Sequence, residues 1–111
     1  MNYNIIPTRK FEKEIKRLIK KFPSLKKEYV GLLAELKNNP ATGTPLGDNC
    51  YKIRLAMASK NKGKSGGARV ITYVVVDNTI VFLLTIYDKS ELENISDKQL
   101  RMMIQNLEID F

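Results

Sequence analysis

The sequence contains no histidine and only one cysteine, and these two scarcities exclude several kinds of site. Without histidine, the commonest general acid–base group is missing, together with every Ser/His or Cys/His nucleophile arrangement and most zinc sites. Cys50 alone can form neither an internal disulfide nor a multi-cysteine zinc site. Because it stands at the start of a strand pattern, we predict a buried thiol. Any catalysis must therefore use other side chains.

Long apolar runs and clustered acids are also missing. No run of about 18 apolar residues occurs, so we expect no membrane span. Residues 1–7 lead directly into a charged helix pattern and not into a signal peptide, so we expect a cytoplasmic protein. Asp48, Asp77 and Asp88 are isolated, which leaves a metal-dependent nuclease unsupported. We expect neither a metal nor a small-molecule cofactor.

One long segment lacks acidic residues altogether. Between Asp48 and Asp77 there are only basic charges, at Lys52, Arg54, Lys60, Lys62, Lys64 and Arg69. A Gly/Ser/Lys stretch at 59–67 separates two apolar strand patterns, and a cationic loop held by strands suits binding of a phosphodiester backbone. A solvated linker is the alternative, but it leaves unexplained the two arginines inside the flanking strands. A Walker phosphate loop is excluded, because Ala58 replaces its first glycine and strand residues follow.

The net charge of +7 is unevenly distributed along the chain. Residues 1–39 carry ten bases and four acids, and residues 40–79 carry six bases and two acids. Residues 80–111 reverse the sign, with three bases and six acids. General solubility would explain the total but not this asymmetry, which favours an oriented anion-binding surface.

The helices are predicted by apolar residues at helical spacing. A short strand at Asn2–Pro7 precedes a helix capped by Thr8, whose apolar stripe is Phe11, Ile15, Leu18, Ile19 and Phe22. Pro23 ends this helix, and Ser24 is placed to cap a second one with the stripe Leu25, Tyr29, Leu32, Leu33 and Leu36. Two amphipathic stripes joined by so short a break predict an αα-hairpin that packs on a sheet.

The rest of the chain predicts strands and one more helix. We expect a loop at 41–49, a strand at Tyr51–Leu55, and a hairpin of Arg69–Val76 with Ile80–Tyr87. Ser96 and Gln99 fit a capping box for a last helix. The predicted order is β-α-α-β-β-β-α, an α+β fold with a mostly antiparallel sheet, in one domain spanning residues 1–111.

Lysine, arginine and tyrosine can cleave RNA without a metal. The RNA 2′-hydroxyl attacks its own adjacent phosphate, so the enzyme must orient it, stabilise the developing charge and move protons. Arg54 and Arg69, on two strands, can clamp the phosphate. A lysine crowded by like charge can exchange protons near neutrality. Tyr87, at the end of the last strand, can stack on a base or assist proton transfer, although an ordinary strand-end aromatic explains it equally well.

Three segments carry a resemblance to a known family: Tyr51-Lys-Ile-Arg-Leu55, Gly63-Lys-Ser-Gly-Gly-Ala-Arg-Val-Ile71 and Leu84-Thr-Ile-Tyr-Asp-Lys-Ser-Glu91. With the order of the elements, they resemble toxins of the RelE/ParE superfamily over essentially the whole chain, and the long Gly/Lys loop is most similar to the HigB-like branch. The resemblance implies a microbial-RNase-like fold. It also implies metal-free endonucleolytic cleavage of mRNA on translating ribosomes, restrained by a cognate antitoxin.

The resemblance and the chemistry together give the candidate residues. By position, the resemblance matches Lys52 and Arg54 to basic strand residues, Arg69 to the arginine that opens the next strand, and Lys89 to the basic residue after the last strand. The predicted catalytic set is Arg54, Lys64, Arg69, Tyr87 and Lys89, and the predicted RNA-binding lysines are Lys52, Lys60 and Lys62. The tyrosine that some RelE toxins carry near the last helix has no match after Tyr87.

Two other functions stay open on the sequence alone. The superfamily also contains gyrase-inhibiting members of the ParE type, so the fold does not determine the target. A non-catalytic RNA-binding module is the third possibility, although the sequence shows no exposed aromatic platform for single-stranded RNA. The dense basic loop and the strand arginines favour the two RNA hypotheses, cleavage and binding, over gyrase inhibition.

Overall fold

The predicted α+β architecture is confirmed, with one additional strand. The computed structural model describes residues 2–57, 66–92 and 94–110. Its elements are β1 (Asn4–Pro7), α1 (Arg9–Lys21), α2 (Leu25–Asn38), β2 (Thr44–Gly47), β3 (Cys50–Leu55), β4 (Ala68–Val75), β5 (Ile80–Asp88) and α3 (Asp97–Asp110). The strands form one sheet in the order β1-β5-β4-β3-β2. Only the β1–β5 pair is parallel, and the other three pairs are antiparallel.

The two helix layers cover opposite faces of the sheet. On one face, α1 and α2 bury Phe11, Leu18, Leu25 and Leu36 against alternating residues of the central strands. On the other face, α3 contributes Leu100 and Leu107 to a second core. Both faces of β4 and β5 are thus covered, which explains why their sequences are almost continuously apolar. Cys50 lies in the second core at 1% exposure, as predicted, and burial raises the pKa of its thiol to about 12.

Helix caps account for two of the three helix starts. The backbone N–H of Phe11 donates to Thr8 Oγ1 (3.1 Å), and that hydroxyl also donates to the carbonyl of Leu83 (3.0 Å), so the cap joins α1 to β5. At α3, Gln99 N donates to Ser96 Oγ (3.1 Å) and Ser96 N donates to Gln99 Oε1 (2.9 Å), which confirms the capping box. The predicted Ser24 cap is wrong: its side chain makes no capping hydrogen bond.

The loop predicted at 41–49 is also wrong, because it contains β2. This strand pairs with β3 through Thr44 opposite Lys52, and the connection turns at Asp48 and Asn49, with φ of 53° and 62°. Two successive positive φ angles are typical of the tight hairpin turns that match strand twist. A proline and two glycines concealed the strand in the sequence, but an edge strand tolerates them because only one of its sides is paired.

Candidate active site on the sheet

The two strand arginines lie directly opposite each other, and a tyrosine extends the same row. Arg54 of β3 is the register partner of Arg69 of β4, which is the partner of Tyr87 of β5. Opposed residues of antiparallel strands project from the same face with Cβ atoms about 4.5–5.5 Å apart. Tyr87 belongs to the core on the α3 side, so all three side chains project from the face of the sheet that α3 covers. We call Arg54, Arg69 and Tyr87 the central row.

Arg69 is held in a confined position between its two neighbours. Its side chain is 3% exposed, and its Nη1 donates to the carbonyl of Ala68 (3.2 Å). Burial lowers the pKa of Arg69, the like charge of Arg54 lowers it further, and Tyr87 acts in the opposite direction. Two guanidinium groups on opposed residues repel each other, so this pairing costs stability. An anion bound between them would relieve the repulsion.

Tyr87 has a buried hydroxyl group with no hydrogen-bond partner among the described residues. The side chain is 6% exposed, and its Oη is one of two buried polar side-chain atoms there without a partner. Burial raises the pKa of Tyr87, against the smaller opposite effect of Arg69. Most buried polar groups are paired, and an exception calls for an explanation such as a catalytic role. The burial leaves little ring surface for stacking on a base.

The backbone around the central row has a tight glycine contact and a bulge. At Gly67, a Cβ atom would collide with the carbonyl oxygen of Leu55, so only glycine lets β4 begin this close to β3. The register of β4 and β5 shifts between Ile71 and Thr72, which leaves Leu84 without an opposite residue. Such bulges increase the local twist and redirect side chains, and they are common beside active sites.

Lys89 follows β5 and is brought to the entry of β4. Its backbone N–H donates to the carbonyl of Gly67 (3.1 Å), while its side chain is exposed. The preceding Asp88 is buried and accepts hydrogen bonds from the backbone N–H and the hydroxyl of Ser90, each at 2.9 Å. This turn fixes where the chain leaves the sheet. Lys89 therefore lies at the same end of the sheet as Arg69.

Lys52 extends the cationic surface along β3. It lies two residues before Arg54, on the same face, and is half-buried. Both residues also line an open cavity of about 670 Å³ between β3 and α2, whose opposite wall includes Glu28 and Glu35. Arg54 itself is exposed, so the outer end of the central row is reachable from solvent.

The other predicted lysines, Lys60, Lys62 and Lys64, lie outside the described residues. Over residues 2–57, 66–92 and 94–110, no group of three or more Cys, Asp or Glu side chains converges to hold a metal ion. None of the helices described is long and apolar enough to cross a membrane. Of the predicted site residues, the structure places Lys52, Arg54, Arg69, Tyr87 and Lys89 on or beside the central row.

One residue that supports this region was missed by sequence reasoning. Glu14 of α1 accepts hydrogen bonds from Thr85 Oγ1 (2.7 Å) and from the backbone N–H of Ile86 (3.3 Å), just before Tyr87. β1 pairs with β5 only as far as Leu83, and these bonds satisfy hydrogen-bonding groups of β5 beyond that point. No local signal announces a contact between residues 71 positions apart.

Comparison with solved structures assigns the fold class. A double arginine-to-alanine variant of the E. coli toxin RelE in the free state matches with a TM-score of 0.59 and 21% identity, over 84% of this chain and 90% of that chain. The same toxin variant in complex with an antitoxin RelBc peptide gives 0.49 and 23%, over 87% and 98%. The Helicobacter pylori protein HP0892 gives 0.47 and 25%, over 81% and 98%. The chain has the RelE fold.

The family follows from the sequence itself. The sequence model described as the RelE toxin of the RelE/RelB toxin–antitoxin system matches residues 5–107. The match covers every strand and helix except the last residues of α3 and the first residue of β1. This chain belongs to the RelE toxin family, which confirms the predicted superfamily.

Proposed function

We propose that this protein is the toxin of a type II toxin–antitoxin system and cleaves mRNA on the translating ribosome as a metal-independent endoribonuclease. The observation that carries the proposal is the central row, in which two arginines and a buried phenol converge on one face of the sheet. Residues 1–111 form one toxin domain, and the activity belongs in the cytoplasm, where ribosomes translate. The Gly/Lys loop supports the HigB-like branch.

The arginines bind the scissile phosphate. In the reaction, the 2′-oxygen forms a bond to the adjacent phosphorus, the bond from phosphorus to the 5′-oxygen breaks, and a proton moves from the 2′-hydroxyl to a base. Negative charge accumulates on the non-bridging oxygens in the transition state. Arg54 and Arg69, both on the same side of the sheet, donate to these oxygens, and such preorganised donors stabilise a transition state more than a ground state.

Tyr87 supplies the proton that the leaving 5′-oxygen takes up. Burial raises the pKa of Tyr87, so the phenol is protonated at neutral pH and acts as a donor. Its Oη has no partner among the described residues, so no hydrogen bond there has to break for it to donate to a substrate oxygen. Lys64 and Lys89 are the candidate bases for the 2′-hydroxyl. Lys52, Lys60 and Lys62 bind the flanking RNA backbone.

The partner is a cognate antitoxin that neutralises the toxin. The family is defined by toxin–antitoxin pairs, and the solved complex of the E. coli toxin variant contains an antitoxin peptide. A net charge of +7 favours an acidic segment of the antitoxin as the element that covers the cationic surface. Ribosome and mRNA are the other partners of this proposal.

The test is a translating extract to which the purified chain is added. We expect new mRNA 5′ ends inside the coding region that depend on translation and persist in the presence of a metal chelator chosen to spare the ribosomes. Supercoiling by gyrase is measured in parallel at the same toxin concentration. Intact mRNA together with blocked supercoiling would show gyrase inhibition and contradict the nuclease proposal. Intact mRNA together with retained RNA binding would show an RNA-binding module without cleavage.

A further inference from the structure

The outer face of α1 carries a second cationic surface, which the proposed cleavage does not use. Four exposed basic residues follow one another at spacings of four, three and four positions, which aligns them along one side of the helix. This side is opposite the buried stripe of Phe11, Ile15 and Leu18. We call this set the α1 stripe; its members are Arg9, Lys13, Lys16 and Lys20.

The charges of the α1 stripe are not neutralised by neighbouring acids. Of the three other basic residues of α1, two are paired with acids: Lys10 with Glu14 (2.7 Å) and Arg17 with Glu91 (3.6 Å). The third, Lys21, lies over the ring of Phe22, with 5.4 Å between its Nζ and the ring centroid. Within the part of the chain that the structure describes, no member of the stripe forms an ion pair. Like charges three or four positions apart destabilise a helix. The remaining acid of α1, Glu12, is three positions after Arg9 and four before Lys16, and among the described residues it forms an ion pair with neither. Its charge adds to the effect of burial in raising the pKa of Tyr29 of α2.

The α1 stripe faces away from the central row. The core beneath α1 contains Ile53, Leu55 and Val70, which alternate along their strands with Arg54 and Arg69. Tyr87 lies in the core on the opposite face, against α3. A helix with its side chains is about 10–12 Å across, so the sheet and the full width of α1 separate the two surfaces. A single RNA strand bound along the central row does not contact both.

We infer that the α1 stripe binds the phosphate backbone of an RNA duplex, a different RNA segment from the strand at the central row. The inference extends the proposed function, since an RNA-directed toxin meets folded RNA while it cleaves mRNA. The stripe is straight and spans about 16 Å from its first to its last residue at a rise of about 1.5 Å per residue.

Its chemistry favours a duplex over a single strand. The aromatic residues of this helix and its end, Phe11 and Phe22, are buried, so the stripe offers no ring on which an unpaired base can stack. Double-stranded RNA is recognised mainly through its shape and backbone, for which a rigid row of cations is sufficient.

The test measures binding of a fluorescent RNA hairpin of arbitrary sequence by anisotropy over a range of salt concentrations. The variant Lys13→Gln/Lys16→Gln/Lys20→Gln removes three charges from the stripe. We expect its affinity to fall at least about tenfold at 0.1 M salt, and its log–log salt slope to decrease by about two to three units. The charge-preserving variant Lys13→Arg/Lys16→Arg/Lys20→Arg should bind as the unmodified protein does.

The matched control is Lys27→Gln/Lys37→Gln/Lys98→Gln, which removes the same charge from exposed helix positions outside the stripe. An equal loss of affinity in this control would reduce the effect to net charge and overturn the inference. Unchanged hairpin binding by the stripe variant would overturn it as well. So would a polyglutamate chain that displaces the hairpin at equal charge concentration, because the stripe would then suit an acidic protein equally well.

Cleavage in the translating extract separates this inference from the proposed function. If both hold, the stripe variant needs a higher ribosome concentration for half-maximal cleavage but reaches the same maximal rate. If the unmodified protein does not cleave mRNA, the proposed function fails, and the hairpin measurements still decide the role of the stripe.

Discussion

At the scale of single residues, the central row holds two like charges side by side, an arrangement that lowers stability. Arg69 is buried beside the like charge of Arg54, and both effects lower its pKa. A protein interior normally pairs a buried charge with an opposite one close by. Here a second cation also stands directly opposite the buried one, and two guanidinium groups side by side suit the binding of a phosphate.

Replacing Arg69 by alanine should abolish cleavage without unfolding the protein. We expect the rate of mRNA cleavage in the extract to fall at least about a hundredfold, as when a donor to the transition state is removed. The substitution also removes the repulsion from Arg54, so the loss of unfolding free energy should stay within about 2 kcal/mol. Arg54→Ala should act in the same way, and Lys98→Ala, at an exposed position on α3, is the matched control. A folded Arg69→Ala protein that cleaves normally would exclude the arginine from the site.

Tyr87→Phe should separate activity from stability. The Oη atom is buried without a partner among the described residues, and such a group costs about 1–3 kcal/mol of desolvation. Its removal should leave the free energy of unfolding unchanged or raise it, while cleavage falls about a hundredfold or more with the loss of the acid. Thermal unfolding and extract cleavage of the same preparation measure both. A loss of stability with full activity would make Tyr87 an ordinary core residue.

The pH dependence of cleavage should also show that Tyr87 acts as a proton donor. Burial raises the pKa of Tyr87 above its ordinary value of 10.0, so the phenol keeps its proton throughout the neutral and mildly alkaline range. A group that acts as a donor loses activity only as the pH rises through its pKa. Deprotonation of Tyr87 should therefore cause no fall in rate below pH 10, and any earlier fall should persist in Tyr87→Phe.

The sequence could suggest the members of this site but not their arrangement. Arg54 and Arg69 were recognisable as charges inside apolar strands, and Lys52 and Lys89 by family position. Their opposition depends on strand register, which is determined by the whole sheet and not by any local pattern. The orphaned hydroxyl of Tyr87 depends on burial by residues distant in the chain, so no sequence signal distinguishes it from a core tyrosine.

At the scale of elements, α1 is attached to the site strand by Glu14. Beyond the point where β1 stops pairing with β5, the carboxylate of Glu14 accepts hydrogen bonds from the Thr85 hydroxyl and the backbone N–H of Ile86. Glu14→Ala would leave the Ile86 N–H without its partner at a partly buried position. We expect the free energy of unfolding to fall by about 1–3 kcal/mol, and Glu14→Gln to recover part of the loss through its amide oxygen.

The control for Glu14 is Glu12→Ala, an exposed acid two positions earlier on the same helix. It should change the free energy of unfolding by less than about 0.5 kcal/mol, as is usual at the surface. Chemical denaturation of the three variants is the measurement. Equal effects of Glu12→Ala and Glu14→Ala would show that the bonds to β5 contribute nothing beyond the charge.

Helices were easier to predict than strands for a physical reason. The apolar stripes of α1 and α2 repeat over about three turns, so the helices are determined by local spacing. β2 has only four residues, two of which are proline and glycine, and it exists because β3 offers it an edge. The parallel pairing of β1 with β5 joins Asn4 to Ile80, 76 positions further along the chain, and local patterns carry no information about it.

At the scale of the whole molecule, the two cationic groups that the structure describes, the central row and the α1 stripe, lie on opposite surfaces. The central row and its neighbours face the α3 side, and the α1 stripe faces outward on the other side. The acidic third of the sequence is built largely into β5 and α3. It is therefore committed to the fold and does not extend as a free segment over either surface. The antitoxin of the proposed function would supply the negative charge that masks the positive field.

Expression of this chain alone should therefore stop growth, and coexpression with a cognate antitoxin should restore it. Electrostatic attraction should make the association fast, and raising the salt concentration should slow association far more than it speeds dissociation. Stopped-flow association with the purified antitoxin at several salt concentrations measures this, and Arg69→Ala serves as the non-toxic control for the growth assay. Normal growth of cells that contain verified soluble, unmodified protein without any antitoxin would contradict the toxin proposal. Growth arrest by Arg69→Ala would show that toxicity does not depend on the central row.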